Sequence, residues 1–375
     1  MFIYLKNALR KFDKIRRQKL GSLEGLLYSL IKNDSETTSS LLPNEQVKRV
    51  LIIRSNKRIG NVIFLIPFVR QTRLAYPKAR IDLMLSQHYQ GQFFDGLGID
   101  NVYYSNFSFL KLFKWLNVIK QLNQVHYDLI ITRNSSTNDG ISTSMIAAKN
   151  KVAPYDKKRT LAFPHALKEV RTLKHSAYGG LNLLETLGHQ LVMPINHHLQ
   201  FSELEIEQGK TLSERYIDED KINLVFFRGA RGKKCLCTSM WEKMLKRFES
   251  HVDKQINWVE ILCSDIKTPL RKDSATFQSK DMRILGTFLT HFDGFICCDT
   301  GPLHLADASG AKCIGLYTQT NIQTYGLLSP HCAHITDVNN FDVSEVGKKL
   351  GFSSTYSIIK NQPKINTKLR IQTAM

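Results

Sequence analysis

Between residues 49 and 317 the chain alternates short apolar runs with longer amphipathic stretches, and it does so twice. The runs RVLIIR (49–54), RIDLML (80–85), residues 102–104, YDLIIT (127–132) and residues 151–153 read as strands. Helical patterns at 60–76, 90–97, 107–125 and 140–149 lie between them or beside them. The alternation restarts with INLVFF (222–227), NWVEILC (257–263), GFICC (294–298) and KCIGLY (312–317), with helices near 240–249, 282–291 and from Pro302. Apolar strands separated by helices form parallel, doubly wound sheets. The expected fold is therefore α/β, with two Rossmann-like domains facing a central cleft. Pro194 and Asn196-His197-His198 mark a boundary, giving domains at 49–195 and 196–355, with a further helix at 177–187 in the mixed region before it. Ligands of such sheets sit beyond the carboxyl ends of the strands.

The flanking segments differ. Phe2, Leu5, Leu9 and Phe12, then Leu23, Leu26, Leu27, Leu30 and Ile31, recur at helical spacing, interleaved with Arg10, Lys11, Lys14, Arg16, Arg17 and Lys19. A basic amphipathic helix of this kind suits an anionic membrane surface; a helix packed on the protein body with a solvated basic face satisfies the same pattern. Residues 33–43 are polar and turn-rich, so residues 1–48 form an extension and linker, and 356–375 form a basic tail.

Lys and Arg outnumber Asp and Glu by 52 to 33, a net charge of +19. That excess calls for an anionic partner: nucleic acid, an acidic membrane or a phosphorylated substrate. The basic residues form no nucleic-acid-binding motif and no aromatic stacking pattern, so nucleic acid is not expected. Seven cysteines, all after residue 234, lack the paired spacing of a zinc site, and no metal is expected. They read as reduced thiols of a cytoplasmic protein, since no secretory signal opens the chain. No apolar run approaches the ~20 residues a membrane span requires.

Three strand-to-helix loops carry the candidate chemistry. Cys298-Asp299-Thr300-Gly301-Pro302-Leu303-His304 ends a strand and opens a helix, with Asp299 or Thr300 as the expected cap and Pro302 in the first turn. Amides at such a helix start bind phosphate oxygens, and His304 belongs to the same turn. Arg228-Gly229-Ala230-Arg231-Gly232-Lys233-Lys234 follows another strand and offers close backbone approach and positive charge, without P-loop spacing. Arg54-Ser55-Asn56-Lys57-Arg58-Ile59-Gly60-Asn61 follows the first strand and lacks the dinucleotide fingerprint.

On this skeleton and in this order, the three segments resemble family 9 glycosyltransferases, the ADP-heptose lipopolysaccharide heptosyltransferases. The resemblance spans about residues 49–330 and is most specific at D-T-G-P-x-H. It implies a GT-B fold and inverting, metal-independent transfer of heptose, from ADP-heptose, onto the lipopolysaccharide inner core. It also implies a site at the cytoplasmic face of the inner membrane of a Gram-negative bacterium, where an anionic surface would explain the charge. Roles follow by position. Thr300, Gly301, Gly229 and Ala230 would hold the donor's pyrophosphate. Lys234 would neutralise the departing nucleotide diphosphate, and Asp299 and His304 would meet the sugar or its phosphate. Asp265 would take the ribose and Lys280 would pass the base. The first domain would bind the acceptor through Arg58, Gly60 and Asn61, and Lys157, Lys158 and Arg159 would meet its acidic groups.

The sequence departs from that family in two places. The Gly-Asp carboxylate that serves as general base is here Asn61, and an amide is no base near neutral pH. Three accounts stay open: an inactive, sugar-nucleotide-binding relative; a substitute base, Asp139 or His88; or a reaction in which Asn61 only orients the acceptor. The family's Phe-Gly-Pro-Thr-Asp stretch appears as Tyr317-Thr318-Gln319-Thr320-Asn321, which suggests a changed donor pocket or acceptor, so a different sugar nucleotide stays open as well.

Overall fold

The computed structural model describes residues 24–351 apart from 106, 108–110, 135, 169–173, 253 and 273. The stripe Phe2 to Phe12 and the tail at 356–375 lie outside the described residues. Two parallel sheets organise the rest. The first has the order β3-β2-β1-β4-β5, from β1 (Arg49–Arg54), β2 (Arg80–Leu85), β3 (Asn101–Tyr104), β4 (Tyr127–Ile131) and β5 (Ala148–Val152). The second has the order β11-β10-β9-β6-β7-β8, from β6 (Ile222–Phe227), β7 (Ile256–Ile261), β8 (Ala275–Phe277), β9 (Gly294–Cys298), β10 (Cys313–Leu316) and β11 (Cys332–Ile335). In β1, β2 and β6 every residue after the first is buried, as helices on both faces of a parallel sheet require.

The helices are α1 (residues 24–31), α2 (Ile59–Ile63), α3 (Ile66–Ala75), α4 (Leu112–Asn123), α5 (Thr137–Met145), α6 (Leu181–Thr186), α7 (Glu203–Ser213), α8 (Thr238–Glu249), α9 (Met282–Leu289), α10 (Gly301–Ser309), α11 (Ile322–Tyr325) and α12 (Val343–Leu350). Several depart from the sequence pattern for local reasons. The helix expected at 60–76 is two, because Pro67 opens a new helix. The helix expected at 140–149 begins earlier, where the Ser136 hydroxyl accepts the Asp139 amide, and ends at Met145 so that Ala148 can enter β5. The helix at 177–187 is broken at Gly179-Gly180, and 90–97 is mostly a 3₁₀ turn, His88–Phe94. β8 and β11 are too short to announce themselves as apolar runs.

One hydrophobic cluster runs without a break from the first unit into the second, from Val50, Phe68 and Phe93 to Phe288 and Leu303. A second lies under Trp241, Phe226 and Phe248, and a third under Trp115 and Tyr127. Arg283 of α9 ties the units together. Its guanidinium donates to the carbonyls of Gln92 (2.7 Å) and Gln200 (2.5 Å), pairs with Glu205 and stacks on Phe201.

Helix α1 docks through a face that the leucine stripe does not predict. Glu24 and Tyr28 are buried, whereas Leu26 and Leu30 remain 61% and 75% exposed. Glu24 accepts from the Thr137 hydroxyl (2.5 Å) and pairs with Arg159 (3.3 Å). Tyr28 belongs to the third cluster and sets its phenol end against Gly140, where a Cβ would lie 2.6 Å from its hydroxyl. Burial pushes the Tyr28 phenol above its ordinary value. Tyr28→Ala is expected to lower unfolding free energy by about 3–5 kcal/mol, the cost of deleting a buried ring, measured by denaturant titration; a loss within error would mean that α1 is not part of the core.

Candidate active site

β1 and β4 are neighbours in the first sheet, and β6 and β9 are neighbours in the second. In each sheet the strand order reverses between that pair, so the loops leaving their carboxyl ends splay apart and open a crevice. The loops are 55–58 and 132–136 in the first unit, and 228–237 and 299–300 in the second. The loops 55–58, 228–237 and 299–300 belong to the segments singled out in the sequence. The two crevices meet through α2 and α10. A Cβ on Gly301 would lie 2.8 Å from Cβ of Ile59, and a Cβ on Gly60 would lie 2.9 Å from the His304 ring. Only paired glycines let the helix starts of the two units approach so closely.

Asp299, 5% exposed, is the hub of the second crevice. Its Oδ2 accepts from Lys234 Nζ (2.5 Å) and from the Thr320 hydroxyl (2.6 Å), and its Oδ1 accepts from His304 Nε2 (2.9 Å). Lys234 Nζ also donates to the Asp299 carbonyl at 2.9 Å. Burial opposes ionisation of Asp299, but the bonds from His304, Lys234 and Thr320 outweigh it and hold the carboxyl below the usual carboxylate range. An ammonium has three donors; Lys234 spends two on Asp299, and the third has no partner among the described residues. Neither expected cap forms: no side chain caps α10, because the Asp299 carboxylate is taken and the Thr300 hydroxyl meets Cys297 Sγ at 3.3 Å. The start of α10 is thus left to the helix dipole, the arrangement that receives a phosphate. Gly229 and Ala230 lie half-buried in the neighbouring loop after β6, while Arg228 turns away to Glu260 (2.5 Å). Asp265 and Lys280 are exposed and make no hydrogen bond to the Asp299 network.

On the first-unit side, Phe64 packs its ring on His304 (4.5 Å between centroids) and on His175 (5.4 Å). His175 donates through Nε2 to the Gly326 carbonyl of the second unit at 2.9 Å. His304 Nδ1 is buried and has no hydrogen-bond partner among the described residues. Gly60 and the half-buried Asn61 stand beside this cluster on α2, and Arg58 is exposed at its start. Phe64, His175 and Thr320 were not singled out as site residues from sequence. Phe64 lies inside an apolar run, His175 in a stretch without pattern, and Thr320 in the altered motif.

The remaining sequence candidates fall elsewhere. Asp139 is fully buried beneath the β1 loop: Oδ1 accepts the Ser55 amide (2.7 Å) and Oδ2 the Ser136 hydroxyl (2.7 Å). Burial pushes its carboxyl upward against the pull of Arg54. It braces the loop from below and does not face the cleft. His88 is exposed and packs on Tyr104, 4.2 Å between centroids. Lys157 and Lys158 are exposed, but Arg159 is committed to Asp156 (2.6 Å) and to Glu24.

This geometry has known counterparts. The family model Glycosyltransferase family 9 (heptosyltransferase) matches residues 115–349, well over half of the chain. The chain belongs to that family. It is a glycosyltransferase. Among solved structures, a family 9 glycosyltransferase from Veillonella parvula superposes with TM-score 0.66 at 18% identity, over 81% of this chain and 89% of that one. The E. coli heptosyltransferase WaaC, solved with ADP, gives 0.62 at 13%, over 80% and 98%. E. coli ADP-heptose lipopolysaccharide heptosyltransferase II gives 0.59 at 13%, over 81% and 98%. At these identities the likeness carries the GT-B fold and no more. A search of the curated proteins found no match.

In this glycosyltransferase the Asp299 hub is expected to be structural as well as functional. Asp299→Asn should cost about 3–5 kcal/mol by leaving the Lys234 ammonium without its buried counter-charge and His304 Nε2 without its carboxylate acceptor. A depressed carboxyl contributes stability above its unfolded pKa and loses it as pH falls through the folded one. The gap between wild type and Asp299→Asn should therefore be full above about pH 5 and shrink progressively as pH falls below about pH 4, closing only where the folded carboxyl itself takes up a proton. Melting curves from about pH 6 down to about pH 2 check this; a gap that does not shrink over the acid part of that range would mean that the carboxylate charge is not what stabilises.

Proposed function

We propose that the protein transfers heptose from ADP-heptose to the inner core of lipopolysaccharide, with inversion and without a metal. The observation that carries this reading is the Asp299–Lys234–His304 cluster at the bare start of α10, set against Gly60 of α2, the residue before Asn61. A nucleotide diphosphate at that helix start would meet the helix dipole and the third Lys234 donor, while the acceptor hydroxyl approached from the Asn61 side. Charge on the diphosphate grows as the glycosidic bond breaks, so a fixed ammonium stabilises the transition state more than the bound donor. The E. coli relative solved with ADP supports the choice of nucleotide. A lipid-borne acceptor fits a chain of net charge +19 acting at an anionic membrane from the cytoplasmic side. Among the described residues no helix is long and apolar enough to cross a membrane.

The proton of the acceptor hydroxyl has no carboxylate at position 61 to receive it. With Asp139 enclosed under the loop, His88 is the exposed candidate base, and orientation of the hydroxyl by the Asn61 amide is the alternative. The assignments of Asp265 to the ribose, Lys280 to the base and Lys157 and Lys158 to the acceptor belong to the same proposal.

Three measurements bear on it. Nucleotide sugars screened by thermal stabilisation should single out ADP-heptose, and product analysis should show heptose on the acceptor; stabilisation by a different sugar nucleotide alone would replace the donor. Lys234→Ala should lower turnover by about a hundredfold or more while weakening donor binding far less; equal losses would confine Lys234 to ground-state binding. His88→Gln should abolish the ascending limb of the pH–rate profile if His88 is the base, and Asn61→Asp should restore a limb set by a carboxylate. Wild-type behaviour of His88→Gln would leave orientation by Asn61.

A further inference from the structure

Helix α1 is held to the first unit by a polar and aromatic face, Glu24 and Tyr28, and turns its leucines outward. Leu26, Leu27 and Leu30 are exposed along one side of it. A helix that needed only to complete a core would bury those leucines and leave Glu24 in water. Here the two are exchanged. The Arg159–Glu24 pair brings residues 155–161 alongside the first turn of α1, and that segment adds exposed Tyr155 and Leu161 with exposed Lys157 and Lys158. Exposed leucines on one segment and exposed ammonium groups on the other are thus carried by two segments joined through that pair. The chain enters α1 from a segment carrying Arg10, Lys11, Lys14, Arg16, Arg17 and Lys19.

We infer that this face docks on an anionic lipid bilayer, with Leu26, Leu27, Leu30, Tyr155 and Leu161 entering the interface and Lys157 and Lys158 meeting phosphates. Charge complementarity selects the occupant. Apolar side chains ringed by cations suit acyl chains beneath acidic headgroups, whereas two copies of this face would oppose like charges. Position gives the docking a purpose. Both anchors of α1 close on the start of α5: Glu24 on the Thr137 hydroxyl, and Tyr28 on Gly140 and on the Thr137 carbonyl (3.5 Å). From that same turn Asp139 holds Ser55, in the loop that leads to Asn61. The docking helix is therefore bolted to the rim of the acceptor crevice, and a membrane seated on it lies at the side from which a lipid-linked acceptor would come. The purpose rests on the proposed acceptor; the surface itself does not.

The experiment is co-sedimentation of the full chain with phosphatidylglycerol-containing vesicles and with phosphatidylcholine vesicles, at low and high salt, for wild type and the Leu26→Gln/Leu30→Gln double variant. Wild type should bind the anionic vesicles, lose most of that binding in high salt, and bind neutral vesicles weakly. The double variant should bind anionic vesicles at least roughly tenfold more weakly, because two leucines no longer leave water. Its melting temperature and its stabilisation by donor should stay at wild-type values, since both leucines are exposed and distant from Asp299 in the chain. Wild-type binding by the double variant would overturn the proposal, as would equal binding of wild type to neutral vesicles. So would a wild-type dimer that the double variant dissolves while neither protein binds vesicles, because the face would then be a self-association surface. Failure of heptose transfer alongside normal vesicle binding would instead count against the proposed reaction alone.

Discussion

The carboxylate of Asp299 is the point on which the second unit turns. Buried and ionised, it would be costly without partners. Lys234 comes to it from the loop after β6, His304 from α10 and Thr320 from the loop after β10, so three separate chain segments are fixed by one group. The same bonds leave the start of α10 without a side-chain cap and Lys234 with a donor to spare. Structure and chemistry are thus coupled at one atom pair: the interactions that hold the loops together also prepare a site for anionic oxygen.

On the other side of the cleft the support is arranged in depth. Asp139 holds the β1 loop through Ser55, and Gln90 holds it at the carbonyl of Asn56 (2.6 Å). Tyr89 reaches the carbonyl of Lys57 (2.8 Å). These groups lie on the side of the loop that precedes α2, and together they set where α2 begins. Gly60 and Gly301 then allow the two supported loops to touch.

Much of this was legible in the sequence because the physics is local. Apolar runs of five or six residues followed by amphipathic stretches announce parallel strands and crossover helices. The D-T-G-P-x-H stretch located the second crevice because a strand end, a proline-started helix and a histidine in one turn are contiguous. What stayed hidden depends on contacts distant in the chain. That Asp139 lies under the loop and not over it is decided by the register of α5, set by the Ser136 cap. That α1 buries Glu24 and Tyr28 and exposes its leucines is decided by Arg159, Thr137 and Gly140, over a hundred positions away. Hydrophobic periodicity identifies a stripe but not the surface it meets, and here its leucines at 26, 27 and 30 face outward while Ile31 packs inward. β8 and β11 escaped because a strand of three or four residues in a wide sheet draws its stability from its neighbour.

The hydrophobic cluster that passes unbroken from Phe68 and Phe93 to Phe288 and Leu303 has a consequence for how such a protein can change. The two halves look modular, each a complete Rossmann-like unit with its own crevice. Their shared apolar core, with Arg283 reaching across to Gln92, makes them a single folding partnership. A hybrid that took the nucleotide-binding half of one relative and the acceptor-binding half of another would inherit two faces shaped for other companions. Recombination between such enzymes is therefore constrained at the seam more than at either site, and new specificities arise more readily by exchanging loops at the strand ends than by exchanging halves.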